Sequence, residues 1–108
     1  MVRLTVALNA TSPQSASNLL DALRFLTTAT RLERGCRECS LWVDPDSTVN
    51  YFEAWDTEDD MRRRVLSHRF TSLLAVFESA GVAPQVRFDF VSSTRGLDYV
   101  TQVRQTPE

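Results

Sequence analysis

Two cysteines at residues 36 and 39 have the spacing of a redox pair or of half a metal site. A thioredoxin-like pair lies at a helix N-terminus, which lowers the thiol pKa, whereas here Gly35 ends a predicted helix and a strand follows. In an extended chain, side chains three positions apart face opposite ways and their Cα atoms lie ~10 Å apart. A disulfide requires a Cα–Cα distance of less than ~7 Å. A zinc site requires three or four ligands, and the chain has a single histidine to add to the two cysteines. We therefore interpret Cys36 and Cys39 as small residues buried at a strand start, and we expect no metal site.

His68 and Asn9 are the polar side chains with the clearest chemical use. His68 is the one imidazole of the chain, so it is the side chain expected to titrate near neutrality. It is a candidate proton acceptor or, alternatively, a half-exposed helical histidine. Asn9 ends an apolar strand, where its amide could polarise a ketone or enolate oxygen or satisfy backbone groups of the next loop.

Aromatic side chains supply the candidate pocket for a flat substrate. The alternative is that they pack the core or an interface, which is the commoner role. Trp55 and Trp42 are the better pocket candidates because an indole N–H can orient a ligand oxygen, and Trp55 joins Asn9 and His68 as a candidate catalytic residue. The predicted pocket residues are Trp42, Tyr51, Phe52, Phe70 and Phe77.

Composition limits the class of protein. A chain of 108 residues is one domain, taken as 1–108 with a tail at 94–108. The net charge is −2 and the basic residues are scattered, which argues against nucleic-acid binding. The N-terminal apolar run is too interrupted for a signal peptide, and no stretch approaches the ~20 apolar residues of a membrane span. We therefore expect a cytoplasmic protein with reduced thiols.

The hydrophobic pattern predicts the elements that must position these residues. Strict alternation over 2–9 predicts a strand, and Ser12-Pro13 begins a helix that ends at about residue 34. Thr57 begins a capping box, and the helix it opens runs to Gly81 with a bend where Ser67 recaps it. The expected buried stripe of that helix is Met61, Val65, Phe70, Leu73, Leu74 and Phe77. The remaining predicted strands are 38–43, 49–55 and 86–91.

The order β-α-β-β-α-β is the split βαβ, or ferredoxin-like, arrangement of the α+β class, with an antiparallel sheet. Both helices cover one face of the sheet, beneath which we expect Val86, Phe88 and Phe90. The open face would carry charge, large aromatics and a polar network of Glu53, Arg87 and Asp89. Such a face is rarely left bare, which predicts a homodimer packed sheet against sheet. The tail has apolar Leu97, Val100 and Val103, and could contact the dimer partner or another chain.

Three motifs carry a resemblance to a known family. E-R-G-C-x-x-C-x-L-W-x-D-P (33–45), Y-F-E-A-W (51–55) and M-x-x-x-V-x-S-H-R-F-x-x-L-L (61–74) resemble, in order and spacing, the antibiotic biosynthesis monooxygenases. The resemblance extends over residues 2–92. It implies the dimeric α/β barrel fold and a cofactor-independent oxygenase that acts on a quinol, phenolic or polyketide-type aromatic.

Departures from the family pattern limit what the resemblance implies. The haem-degrading branch has a histidine at the position of Leu74 and a tryptophan at that of Arg64. Many members have histidines where this chain has Arg64 and Arg69. The resemblance therefore implies chemistry without haem, flavin or metal. The missing histidines favour an alternative, a non-catalytic dimeric barrel that binds a small hydrophobic ligand.

Overall fold

The computed structural model describes residues 1–105 and contains four strands and four helices. The elements are β1 (Val2–Asn9), α1 (Pro13–Arg31), β2 (Cys36–Val43), β3 (Thr48–Trp55), α2 (Glu58–Val65), α3 (His68–Glu78), β4 (Gln85–Phe90) and α4 (Leu97–Gln105). The strands form one antiparallel sheet in the order β2-β3-β1-β4. This confirms the predicted α+β, ferredoxin-like arrangement, to which α4 is added.

Serine and threonine caps explain where the helices begin. Ser12 accepts a hydrogen bond from the Ser15 N–H, and Thr57 accepts one from the Asp60 N–H. Ser67 does the same for the Phe70 N–H, so the predicted bend is a full break between α2 and α3. The break matters for the site because α3, which begins there, carries Phe70 and Phe77.

The core lies between the helices and one face of the sheet. The even-numbered apolar residues of β1 are almost fully buried on this face, and Leu23 and Leu73 cover them from the helices. Helix α1 lies over β2 and β3, and α2 lies over β3.

Strand β4 is the part of the sheet that the helices leave open. Val86, Phe88 and Phe90 pair with Val6, Leu4 and Val2 and so share the helix-side face. Their side chains are nevertheless 40 to 64% exposed. The prediction that they are covered was wrong because α2 lies over β3 and neither α2 nor α3 packs closely against β4. For the same reason Val65 and Leu74, expected in the buried stripe, are about four-tenths exposed.

A β-bulge at the start of β2 changes the orientation of the cysteines. Cys36 pairs with Trp55 and Cys39 pairs with Glu53, so three positions along β2 match two along β3, and the irregularity falls at Arg37. Because Trp55 and Glu53 lie on the same face of β3, both cysteines face the helices. The prediction that they face opposite ways was wrong, since it assumed a regular strand. Both thiols are free.

Helix α4 extends away from the body of the protein. The radius of gyration is 16.8 Å and the longest dimension is 55 Å, whereas a compact chain of this length has a radius of gyration of about 13 Å. None of the α4 residues is buried. The last part of the predicted tail, 106–108, lies outside the described residues. No helix within residues 1–105 is long and apolar enough to cross a membrane.

Candidate functional site

A buried ion pair between Arg64 and Glu53 lies at one end of the core. The guanidinium donates from Nε to Glu53 Oε1 over 3.1 Å and from Nη2 to Glu53 Oε2 over 2.9 Å. The side chains are 1% and 0% exposed. The strand alternation directs Glu53 inward between Tyr51 and Trp55, and the first turn after Met61 directs Arg64 down to meet it.

The remaining donors around Glu53 saturate its carboxylate. The Trp55 indole N–H donates to Oε1 over 2.9 Å, and the Tyr51 hydroxyl donates to Oε2. The Cys39 thiol in turn donates to the Tyr51 oxygen over 3.3 Å. With four donors on its two oxygens, Glu53 has no lone pair left to serve as a base for a ligand. This cluster is therefore a structural network rather than a catalytic one.

Burial and the network together shift the pKa values of its members. Burial alone would lower the pKa of Arg64, but the hydrogen bonds and charge of Glu53 outweigh it, so the pKa is raised. Burial, reinforced by the Glu53 charge, raises the pKa of the Tyr51 hydroxyl. Burial also raises the pKa of the Cys39 thiol, to about 12. Arg64 therefore stays charged, and Tyr51 and Cys39 stay protonated at neutral pH.

A cavity of about 420 Å³ lies next to this network, between α3 and the β1–β4 side of the sheet. Its volume is in the range of pockets that hold small organic ligands. The side chains that line it are almost all apolar, including Leu4, Val6, Phe70, Leu74, Phe77 and Phe88. Among its described lining residues, Glu78 alone carries an ionisable group, and it lies exposed at the mouth.

The described lining of the cavity contains no histidine, cysteine or tyrosine that could bind a haem iron. Leu74, at the position where the haem-degrading branch has its histidine, lines the cavity with a hydrocarbon side chain. Elsewhere in residues 1–105, no three or more histidine, cysteine or acidic side chains come together in a way that could hold a metal ion. The lining residues present do not fit a haem or metal cofactor at this site.

Comparison with solved structures identifies the fold. A protein from Deinococcus radiodurans, provisionally named an antibiotic biosynthesis monooxygenase, has a TM-score of 0.78 at 20% identity, covering 89% of this chain and 97% of its own. A structure named antibiotic biosynthesis monooxygenase has a TM-score of 0.70 at 19% identity, covering 86% and 100%. Rv0793 from Mycobacterium tuberculosis has a TM-score of 0.75 at 20% identity, covering 88% and 98%. The chain has the antibiotic biosynthesis monooxygenase fold. No protein-family model and no curated protein sequence matches it.

Within this monooxygenase fold, the predicted pocket residues divide between two faces of the sheet. Phe70 and Phe77 line the cavity, and Tyr51 lies edge-on to Phe77 with ring centroids 5.7 Å apart. Trp42 and Phe52 pair with Asn50 and Ser40 on the opposite, open face. One ligand in the cavity therefore contacts Phe70 and Phe77 but not Trp42 or Phe52.

The three predicted catalytic residues lie far apart in the monooxygenase fold. Asn9 and Trp55 are at opposite ends of the β1–β3 pair, where Asn9 faces Thr48 and Trp55 faces Val2. Seven residue steps separate them by ~24 Å, so they cannot orient one ligand oxygen together. His68 begins α3, is exposed, and does not line the cavity. Whether any of the three takes part in catalysis stays a prediction.

Sequence reasoning missed the inward orientation of Glu53 and the burial of Arg64. Glu53 was expected on the open face with Arg87 and Asp89, which was wrong; Arg87 and Asp89 pair there with each other over 3.0 Å. The signal was present in the alternation of β3, since Glu53 has the same parity as Val49, Tyr51 and Trp55. Arg64 gave a similar signal, because it stands one helical turn after buried Met61.

Proposed function

We propose that the apolar cavity binds a planar aromatic molecule and that the protein is a cofactor-independent monooxygenase of a quinol, phenolic or polyketide-type aromatic. The observation that carries the proposal is the cavity itself, with aromatic rings of Phe70, Phe77 and Phe88 around a space of about 420 Å³. Flat aromatic ligands stack favourably against such rings. The shared fold with proteins named as monooxygenases supports the choice of reaction.

In the proposed reaction, the substrate itself supplies the electrons. With a polyketide-type substrate such as an anthrone, an activated CH₂ of the ring system loses a proton, and the carbanion transfers one electron to O₂. The radical pair then forms a C–O bond, giving a peroxide. Loss of water converts the carbon to C=O, so one oxygen atom stays in the product and the other leaves as water. The apolar lining contributes by desolvating the carbanion and holding it near O₂.

Glu78 is the residue that we propose for contact with the departing proton. Its carboxylate stands at the mouth of the cavity, at the C-terminal end of α3. A base at the mouth can pass a proton to solvent while the apolar interior keeps water from the carbanion. We expect Glu78→Gln to lower kcat while leaving ligand binding nearly unchanged, because the amide preserves the shape of the side chain.

Oxygen uptake tests the proposed activity. Purified protein is incubated with a panel of anthrones and hydroquinones, with a metal chelator and without added cofactor. We expect uptake that scales with protein concentration and survives the chelator. The same panel applied to Asn9→Ala, Trp55→Phe and His68→Ala tests the three residues predicted from the sequence; unchanged rates in all three would remove them from the mechanism.

A matched pair of variants ties any activity to the cavity. Leu74→Trp places an indole in the cavity wall and should abolish uptake by occupying the substrate's space. Leu32→Trp makes the same substitution at a highly exposed position beyond the end of α1 and should leave uptake unchanged. Equal activity in the two variants would show that the reaction occurs elsewhere.

A second candidate function is binding of a small hydrophobic ligand without turnover. It is favoured by the lack of polar groups inside the cavity and by the use of the Trp55 N–H within the Glu53 network. This function would be selected by two results together. Anthrones would quench tryptophan fluorescence in the native chain and in Leu32→Trp but not in Leu74→Trp, and no oxygen uptake would be observed.

We further propose that the protein is a cytoplasmic homodimer whose open sheet faces pack together. The support is the mixed surface of that face, where Trp42 is 45% exposed and Phe52 lies between Ser40 and Thr5 on the neighbouring strands. A tryptophan on a sheet face is commonly covered by a partner. Analytical ultracentrifugation of Trp42→Arg against the native chain tests this interface, and an unchanged dimer would exclude it.

A further inference from the structure

An apolar groove lies along the uncovered edge of the core, between α2 and β4. It has a volume of about 360 Å³, and its floor and walls are Met61, Val65, Leu66, Phe88 and Phe90. Two charged residues of α2, Glu58 and Arg62, complete the lining. The groove shares Val65 and Phe88 with the proposed ligand cavity, so it opens beside the mouth of that cavity.

Helix α4 is an amphipathic helix without a partner. Leu97, Tyr99, Val100 and Val103 are 46 to 81% exposed and fall on one side at helical spacing, while Thr101 and Gln102 fall on the other. A helix of nine residues is too short to be stable in water without packing its apolar side. The apolar side of α4 therefore needs a surface, and the body of its own chain does not supply one in this structure.

We propose that α4 of a second copy of this chain lies in the groove between α2 and β4, antiparallel to α2. Each chain carries one uncovered groove and one uncovered helix. A dimer with two-fold symmetry therefore places the α4 of each chain in the groove of the other. An amphipathic helix in an apolar groove is a common mode of association. The inference rests on the proposed homodimer but not on the oxygenase chemistry.

Charge complementarity sets the direction of the helix. Within residues 1–105, the side chains of Glu58, Arg62 and Arg104 form no ion pair with another residue. On α4, Asp98 lies near the beginning and Arg104 near the end. Asp98 pairs with Arg95 over 3.3 Å and lies on the polar side of α4, so the direction depends on Arg104. An antiparallel arrangement brings Arg104 to Glu58, whereas a parallel one brings it toward the like charge of Arg62.

The proposed contact makes the partner's helix part of the ligand site. Phe88 is 40% exposed in the single chain, and α4 of the partner would cover it at the junction of groove and cavity. Each cavity would then be complete only in the dimer. Ligand affinity should consequently fall when the protein is diluted below its dimer dissociation constant.

Variants of α4 in the full chain test the contact. Val100→Asp places a charge on the apolar side of the helix and should weaken the dimer at least about 100-fold by sedimentation equilibrium, the size expected for a buried unpaired charge. Thr101→Asp, one position on and on the polar side, should leave the dimer unchanged. Equal dimerisation of the two variants, or a native chain that is monomeric at all concentrations, would overturn the proposal.

A charge-exchange experiment separates docking on a partner from docking on the same chain. E58R and R104E should each weaken self-association about ten-fold, since two exposed contacts become repulsive. When the two variants are mixed, Arg104 of the E58R chain meets Glu58 of the R104E chain, and the substituted residues 104 and 58 form the second pair of opposite charges. A heterodimer should therefore form with native affinity. If α4 docked on its own groove, mixing would restore nothing, and the proposal would be wrong.

The readouts distinguish this proposal from the proposed function. Self-association is measured without substrate, so failure of the oxygen-uptake panel leaves these results intact. Conversely, a charge-exchange heterodimer that forms as expected but oxidises no quinol would support the contact and count against the monooxygenase.

Discussion

The guanidinium of Arg64 and the carboxylate of Glu53 form a two-point ion pair in the core, with N–O distances of 3.1 and 2.9 Å. Arg64 is also held over the Phe70 ring, 5.4 Å from its centroid, and donates to Thr30 over 3.2 Å. The pair thereby joins α2 to β3, α1 and α3. Since Phe70 also lines the cavity, the ion pair fixes one wall of the proposed ligand site.

Removal of one partner of this pair should strongly destabilise the fold. We expect Arg64→Met to lower the free energy of unfolding by about 3–5 kcal/mol, because it leaves the Glu53 charge buried without its counter-ion. Urea denaturation measures the loss. The double variant with Glu53→Gln should lose less than the sum of the two single variants.

The neighbouring Arg63 provides the control for that experiment. Its side chain is about half exposed and pairs with Asp60 over 2.7 Å. Arg63→Met should therefore cost no more than about 1 kcal/mol, as for other surface pairs. A cost equal to that of Arg64→Met would show that burial does not determine the strength of the Arg64 contact.

Tyr51→Phe tests the hydroxyl that links the thiol to the carboxylate. The substitution removes one donor to Glu53 and leaves the Cys39 thiol without its acceptor. We expect a loss of about 1–3 kcal/mol in the free energy of unfolding, the cost of unsatisfied buried groups. The Tyr51–Phe77 ring contact survives in this variant, so a much larger loss would point to repacking of the core.

The two cysteines should differ in reactivity although both face the helices. Burial raises the pKa of Cys39 to about 12, and burial also raises that of the partly exposed Cys36. At pH 8, iodoacetamide should label Cys36 slowly, as measured by mass spectrometry in the Cys39→Ser variant. It should label Cys39 only upon unfolding, as measured in the Cys36→Ser variant. Rapid labelling of Cys39 in the folded chain would contradict its burial.

The raised pKa of the Cys39 thiol makes the free energy of unfolding depend on pH in the alkaline range. The Cys39 thiol has a higher pKa in the folded protein than in the unfolded chain. Its contribution to the free energy of unfolding is therefore complete below the unfolded pKa of ~8.5. The contribution is lost as pH rises from there toward the folded value of about 12. Cys39→Ala should therefore show a shallower fall in the free energy of unfolding above pH 9 than the native chain.

Gly35 and Gly81 form a natural pair for testing backbone constraints. Both have positive φ, +86° and +76°, and a Cβ at Gly35 would stand 2.4 Å from Asp60 Cγ, whereas one at Gly81 would meet nothing within 4 Å. Gly81→Ala should cost about 1–2 kcal/mol from the left-handed conformation alone. Gly35→Ala should cost a further ~1–3 kcal/mol from overpacking. Equal melting temperatures for the two variants would show that Asp60 moves aside freely.

Local patterns in the sequence determined the secondary structure of this protein. The alternation of β1 fixes which side chains enter the core, and Ser12, Thr57 and Ser67 fix where helices begin, since each bonds a backbone N–H three residues ahead. The order of these elements was then enough for the ferredoxin-like topology, because few connections of that order are possible.

Tertiary structure alone decided the site. The bulge at Arg37 turns both cysteines to one face, and the position of α2 over β3 leaves β4 exposed and opens the cavity and groove. Neither is encoded in residue spacing. A bulge depends on how β2 meets β3, and the lateral position of a helix depends on the summed packing of its whole apolar side, including the Arg64–Glu53 pair that links residues eleven positions apart.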